Sequence, residues 1–306
     1  MTRQAAHLPA VSDEVHRALG AGRPVVALES TIFTHGLPRP RNLAIAREAE
    51  EILRAADVVP ATTGVVAGVP TVGLSDADIE RLCTADGVAK ASVRDLPGAI
   101  ATGRDAGTTV AATSHLAHLA GVQVFATGGL GGVHHGARTS FDESADLVTL
   151  ARTPVTVVSA GVKSVLDIGA TLERLETLSI PVVGYRTRRF PGFYVADSGH
   201  GIDTSAESPE EIAAMIRARD ALGLRSALLV ANPVPRDRQL DPQLHERVLS
   251  EAWDAAAREG VSGAATTPFL LDRIRRATGG RSLDVNAEVY RNNVTVGAAI
   301  ARAAAG

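Results

Sequence analysis

The sequence is poor in the residues that usually announce a function. Of its 306 residues one is cysteine, one tryptophan, three tyrosine and six phenylalanine. The lone Cys83 leaves no disulfide framework and no cysteine-rich metal site. Aromatic content of 3% gives nucleobases little to stack on, and a formal charge of −3 gives no basic footprint. Both argue against a nucleic-acid partner. No apolar run approaches a transmembrane length, and the opening MTRQAAHLPAVSDEVHRALG has no apolar core of a signal sequence. The expectation is a cytoplasmic protein with no membrane partner. What remains, 45% hydrophobic and 21% charged residues, is an ordinary globular composition whose partner is a small molecule.

Lysine is the sharpest scarcity. The 31 basic residues include just two lysines, Lys90 and Lys163; the others are arginine. Arginine supplies charge and hydrogen bonds but does not deprotonate in a protein, so it cannot act as an amine nucleophile. Two surviving lysines are either chance or the places where an amine is required.

Strand-length apolar runs alternate with helical patterns, which predicts an α/β fold: a single domain, residues 1–306, with a mixed central β-sheet flanked by helices. Strands are expected at 23–28, 61–67, 71–74, 88–91, 122–126, 155–160, 181–185 and 227–231. Helices are expected at 40–56, 164–178, 242–259, 268–278 and 282–304. Ser75 and Asp78 match a capping box. The stretch from Arg186 to Ser208 reads as a long loop, a lid or a binding loop.

In an α/β sheet, ligands gather at the carboxyl ends of strands, and polar residues fall there repeatedly. VVALESTIFTHG runs from four apolar residues straight into Glu29. Lys90 lies in GVAKAS, Gly128 follows VQVFAT, and Lys163 follows VTVVSAGV. Glu29 beside apolar walls is either an acid–base group or a buried carboxylate satisfied by arginine or backbone donors. Lys163, expected at the N-terminus of a helix, is a phosphate ligand, an amine of lowered pKa or a solvated surface residue. GGLGGVHHG, residues 128–136, lets backbone approach a ligand closely but fits neither phosphate-loop fingerprint. The adjacent His134 and His135 cannot easily face one ion, and His115 and His118 have no evident third ligand. FDESAD, residues 141–146, is either an oxygen-rich Mg²⁺ or Mn²⁺ site or a helix start.

Together these stretches resemble the pseudouridine-5′-phosphate glycosidase family, which includes the indigoidine synthase A-like proteins. VVALESTIFTHG, VPATTGVVAG, RDLP, TTVAAT, VFATGGLGGVHHGA, FDESADL, VTVVSAGVKSVLD, LLVANPVP and TPFLLDRI match in order over nearly the whole chain. The resemblance implies a manganese-dependent, homotrimeric enzyme with one Mn²⁺ per subunit. Such an enzyme reversibly cleaves the C–C glycosidic bond of pseudouridine 5′-phosphate to uracil and ribose 5-phosphate. It further implies Lys163 as nucleophile, forming a Schiff-base-type intermediate, Glu29 as proton donor and Asp142 as metal ligand. Lys90, the backbone around Val110, Ser144, Ala145 and Asp146 match substrate-binding positions, as do His134 and Asn286. The family loop more often reads GGVHRG; here His135 stands in place of the arginine. Arg186, Arg188 and Arg189 are phosphate candidates on charge alone.

Two other readings share these residues. A Schiff-base aldolase acting on a phosphosugar needs the same lysine but has no use for a base pocket. A phosphosugar-binding regulator would need neither Glu29 nor Lys163, and both are present.

Overall fold

Short runs of Val, Ala and Leu bounded by Gly, Pro or polar residues form the strands, since β-branched and small apolar side chains suit a pleated surface buried on both faces. The computed structural model describes residues 9–261, 263 and 266–306. Its strands are β1 (Ala10–Val11), β2 (Val25–Leu28), β3 (Val59–Val66), β4 (Val69–Val72), β5 (Ala89–Ala91), β6 (Ala106–Thr108), β7 (Val124–Ala126), β8 (Thr156–Ser159), β9 (Val182–Tyr185), β10 (Thr204–Ala206) and β11 (Leu228–Ala231). Its α-helices are α1 (Asp13–Gly20), α2 (Arg41–Ala55), α3 (Asp76–Thr84), α4 (Leu96–Ala101), α5 (Val110–Ala120), α6 (Ala137–Ser140), α7 (Ala145–Leu150), α8 (Ile168–Thr177), α9 (Pro209–Ala221), α10 (Pro242–Arg258), α11 (Thr266–Ala277) and α12 (Arg281–Ala305).

The strands join in one mixed sheet. A parallel run β3-β2-β7-β8-β11-β9-β10 forms its body, and β4 and β6 pair antiparallel with β3. The sheet separates two apolar cores. Val25 and Ala27 of β2 face one, with Val15 of α1, Leu116 of α5 and Val248 of α10. Val26 and Leu28 face the other, with Ile45 of α2, Ile216 of α9 and Val294 of α12. A strand buried on both faces reads as a continuous apolar run, which is why VVAL shows no alternation. Side-chain caps fix many helix starts: Ser12, Thr109, Asp167 and Ser208 each accept an amide of the following turn, and Ser75 with Asp78 completes the expected capping box.

The structure departs from the sequence expectation in several places. The helix expected from Ser164 begins at Ile168, behind the cap Asp167. The helix Pro209–Ala221 was not foreseen, because its apolar face is short and its exposed face is dense in charge. The expected loop 186–208 contains β10, which extends the sheet beside β9. Among the described residues no helix is long and apolar enough to cross a membrane.

Helix α12 locks the sheet's carboxyl edge to the second core. Its Gly297 lies against Ala126 of β7, where an added Cβ would come within 3.1 Å of the alanine methyl. One turn earlier the fully buried Asn293 donates from Nδ2 to the carbonyls of Thr127 (2.7 Å) and Gly128 (3.1 Å). Its Oδ1 accepts from Asn232 Nδ2 at 2.9 Å. Removing a partner that satisfies several buried groups costs about 1–3 kcal/mol for each group left unpaired. Asn293→Ala is therefore expected to lower the urea midpoint by an amount equivalent to at least ~2 kcal/mol. A midpoint unchanged from the parent would show that water replaces the amide.

Candidate active site

The parallel strands β2, β7 and β8 are neighbours and end level, because Leu28, Ala126 and Val158 share one register. The next residues along that row are Glu29, Thr127 and Ser159. By strand alternation all three continue the face of Ala27, Phe125 and Val157. Glu29 is 6% exposed. The Thr127 hydroxyl donates to its Oε1 and the Thr31 hydroxyl to its Oε2. Burial raises the Glu29 pKa, against the opposing pull of the Lys163 charge and the two hydroxyls. The carboxylate is thus held by two threonines, not by arginine or backbone donors.

Past the strand ends, the glycine loop and the lysine segment continue the pairing. Gly128 O accepts from Ala160 N, Gly161 O from Leu130 N, and Leu130 O from Lys163 N, each at 3.0 Å. Lys163 therefore sits on a strand extension, half-buried, and not on the helix terminus that the sequence predicted. The close approach explains two glycines. A Cβ on Gly129 would lie 2.6 Å from the Phe193 ring, and one on Gly131 would collide with Ser144 Oγ. Phe193 belongs to the 186–208 loop, whose Phe190 and Tyr194 are also buried, so this loop is a packed wall of the cleft and not a free lid.

Asp146 ties the cleft together. Its Oδ2 accepts Gly131 N at 2.8 Å and its Oδ1 accepts Ala111 N, in the first turn of α5, at 2.9 Å. Both oxygens of this buried carboxylate are thus held by backbone. Val110 opens the same helix, and Ser144 caps α7 against Gly131. Ala145 is exposed beside it. Lys90 enters from β5, paired with Gly107 of β6. Its pKa is lowered by the surrounding walls and by the charge of Lys163, while Glu29 and Asp146 pull it back up. The chain's two lysines and two of its buried carboxylates therefore share one electrostatic neighbourhood.

His134 N donates to Asp142 O at 3.0 Å, and His134 Nδ1 lies 3.9 Å from Asp142 Oδ2. Among the described residues no three His, Cys, Asp or Glu side chains cluster as metal ligands. The half-exposed Asp142 carboxylate suits an ion held by one carboxylate, with waters and substrate oxygens completing its shell, and Mg²⁺ and Mn²⁺ are bound in that way. Asn286 of α12 points its Oδ1 at Gly128. His135 packs edge-on against Trp253 of α10, with ring centroids 4.8 Å apart. The loop arginines are engaged locally: Arg186 with Glu207 O and the Tyr185 ring, Arg188 with Asp203 O, Arg189 with Asp197.

Sequence reasoning did not single out Thr31, Thr127, Ser159, Asn232 or Asn293. Thr31 and Thr127 were visible within EST and FATGG, but threonines are common at strand ends and only register shows which carboxylate they meet. Asn232 and Asn293 lie 61 residues apart, and nothing local marks them as partners.

A lysine and a buried carboxyl group of raised pKa, whose charges act on each other at the carboxyl edge of a parallel sheet, mark an α/β protein with its cleft where such sheets bind ligands. More particularly, the chain belongs to the indigoidine synthase A-like family, whose profile matches residues 14–303. It is 70% identical over 299 residues to a pseudouridine-5′-phosphate glycosidase of Saccharopolyspora erythraea, covering 98% of this chain and 99% of that one. A pseudouridine-5′-phosphate glycosidase of Salinispora tropica is 61% identical over 95% of this chain and 90% of its own length. Among solved structures, the prealnumycin C-glycosynthase AlnA in complex with ribulose 5-phosphate superimposes with a TM-score of 0.90. It is 36% identical and 96% of each chain is covered. An indigoidine synthase A-like protein from Thermotoga maritima gives 0.85 at 36% identity, over 95% and 94% of the two chains.

Burying a carboxylate against its preference for water has a stability signature. A raised pKa means that the native state binds the Glu29 proton more tightly than the unfolded chain does. Stability is therefore lost as pH rises from the unfolded value, about 4.3, through the raised native one. Glu29→Gln removes that loss. The variant is expected to melt higher than the parent by roughly 2 °C at neutral pH, with the gap closing near pH 4. A lower melting temperature at both pH values would contradict the burial argument.

Proposed function

We propose that this chain cleaves the C–C glycosidic bond of pseudouridine 5′-phosphate reversibly, giving uracil and ribose 5-phosphate. The observation that carries this reading is the meeting of Lys163 and Glu29 at one sheet edge, in a chain so close to proteins of that name. The chemistry explains the residue types. Uracil C5 is joined to ribose C1′ by carbon, so protonating a ring nitrogen or oxygen does not release it. The Lys163 amine attacks C1′, the C1′–O4′ bond breaks, and Glu29 delivers a proton to O4′. The attacking nitrogen, now an ammonium, returns a proton to Glu29. Its lone pair then forms the C=N bond as the C1′–C5 electrons pass into the uracil ring, whose C5 takes that proton from Glu29. Water hydrolyses the imine, returning the amine and releasing ribose 5-phosphate.

Lys90 and the Val110 amide, which opens α5 just ahead of the amide that Asp146 holds, suit the phosphate, since an ammonium and a helix N-terminus both favour an anion. Ser144, Ala145, Asp146, His134 and Asn286 line the same cleft and complete the substrate contacts. Asp142 would hold Mn²⁺, supplying Lewis-acid polarisation of a bound oxygen when the ion is present. The family resemblance supports a homotrimer acting in the cytoplasm. Sedimentation would then give about three times the 31.7 kDa chain mass.

Incubation with pseudouridine 5′-phosphate and Mn²⁺ is expected to release uracil, with none from uridine 5′-phosphate and none after chelation. Release from neither nucleotide would overturn the assignment. Lys163→Arg keeps the charge but not the nucleophile, and should lower kcat by about a thousandfold or more. Borohydride added during turnover should fix a pentose phosphate on the Lys163 peptide. With two lysines in the chain the mapping is unambiguous, and label on Lys90 alone would move the nucleophile there.

A further inference from the structure

The row Glu29–Thr127–Ser159 contains more than the proton donor. The Thr127 side chain is fully buried, and its backbone is fixed on both sides. Its amide donates to Val158 O at 3.0 Å, and its carbonyl accepts from Asn293 Nδ2 at 2.7 Å. Thr31 reaches the other carboxylate oxygen from within Glu29's own chain segment, where the backbone turns tightly through Ile32–Gly36. That turn is anchored in turn. Phe33 N and Thr34 N both donate to Ser30 O, and Ser30 Oγ accepts Thr108 N at 2.8 Å. Two hydroxyls on rigid supports, one for each oxygen, leave the carboxylate little freedom to rotate.

We propose that Thr127 and Thr31 are positioning residues for Glu29: their hydroxyls fix the direction in which the carboxylate presents its proton to the substrate. A threonine is suited to this because a hydroxyl both donates and accepts. When Glu29 is ionised each hydroxyl donates to it. When Glu29 carries the proton, one hydroxyl can turn and accept, or release its oxygen so that the acid points at the substrate. A backbone amide or an arginine in the same place could only donate and would oppose the protonated state. Each carboxylate oxygen also keeps a second lone pair outside the clamp, which leaves it able to reach the sugar. The unpartnered, fully buried hydroxyl of Ser159, one strand further along the row, competes for no donor with Glu29.

The kinetic arm of the test rests on the proposed function; a second arm does not. Thr127→Val keeps the shape and removes the hydroxyl, and Thr127→Ser restores it. Valine is expected to lower kcat about tenfold to a hundredfold with little change in KM, and serine to recover most of it. Losing a donor to the ionised form should move the Glu29 limb of the pH–rate profile to higher pH in the valine variant, whichever protonation state is active. Without substrate, the ¹³C resonance of the Glu29 side-chain carboxyl, assigned by its loss in Glu29→Gln, should titrate at higher pH in Thr127→Val and return with serine. Thr31→Val is expected to act in the same direction, and serves if Thr127→Val does not fold. An unshifted carboxyl titration in the valine variants, or a loss of kcat that serine does not rescue, would overturn the proposal. A wild-type protein that releases no uracil would overturn the function reading alone, because the resonance still decides this one.

Discussion

A carboxylate placed where water barely reaches must be compensated or it neutralises, and the architecture around Glu29 answers that constraint. Strand β2 is buried on both faces, so the residue that ends it meets apolar walls unless other polar groups arrive at the same level. They arrive because β2, β7 and β8 are adjacent, parallel and in register. Thr127 comes from the second strand and the Lys163 charge from just beyond the third. The compensation is partial, since the carboxyl keeps a raised pKa. A carboxyl group left short of full compensation is suited to exchanging a proton.

The same logic explains the glycine loop. Gly128–Gly132 allows three side-chain systems to close on its backbone. Phe193 covers Gly129, Ser144 and Asp146 cover Gly131, and Thr171 covers Gly132. Asp146 then joins the loop to the start of α5 through two amide hydrogen bonds, so the lysine segment, the loop and the helix terminus behave as one unit. A substrate wedged between Lys163 and Lys90 would meet a rigid cleft. Rigidity suits a mechanism in which one amine must reach one carbon.

The pKa of Lys90, lowered by its walls and by Lys163, carries a further physical point. The two ammonium groups oppose each other's charge, and an anion lying between them would relieve that opposition.

Much of this was legible in the sequence. Composition excluded disulfides and argued against nucleic acid. The apolar runs placed most strands within a few residues, and the scarcity of lysine drew attention to the two that share the cleft. The order of the motifs pointed to the family. What sequence could not decide was register. Period and propensity are local, and they show that Glu29 and Thr127 follow strands and that Ser159 lies in one, but not that those strands are neighbours in matched register. The same limit hid Asn232 and Asn293, whose contact spans 61 residues, and set Lys163 directly before a helix that begins only at Ile168. Local chemistry chose the groups; the long-range pairing of β2, β7 and β8 chose which of them meet, because hydrogen-bonded neighbours in a sheet are set by the whole chain's packing.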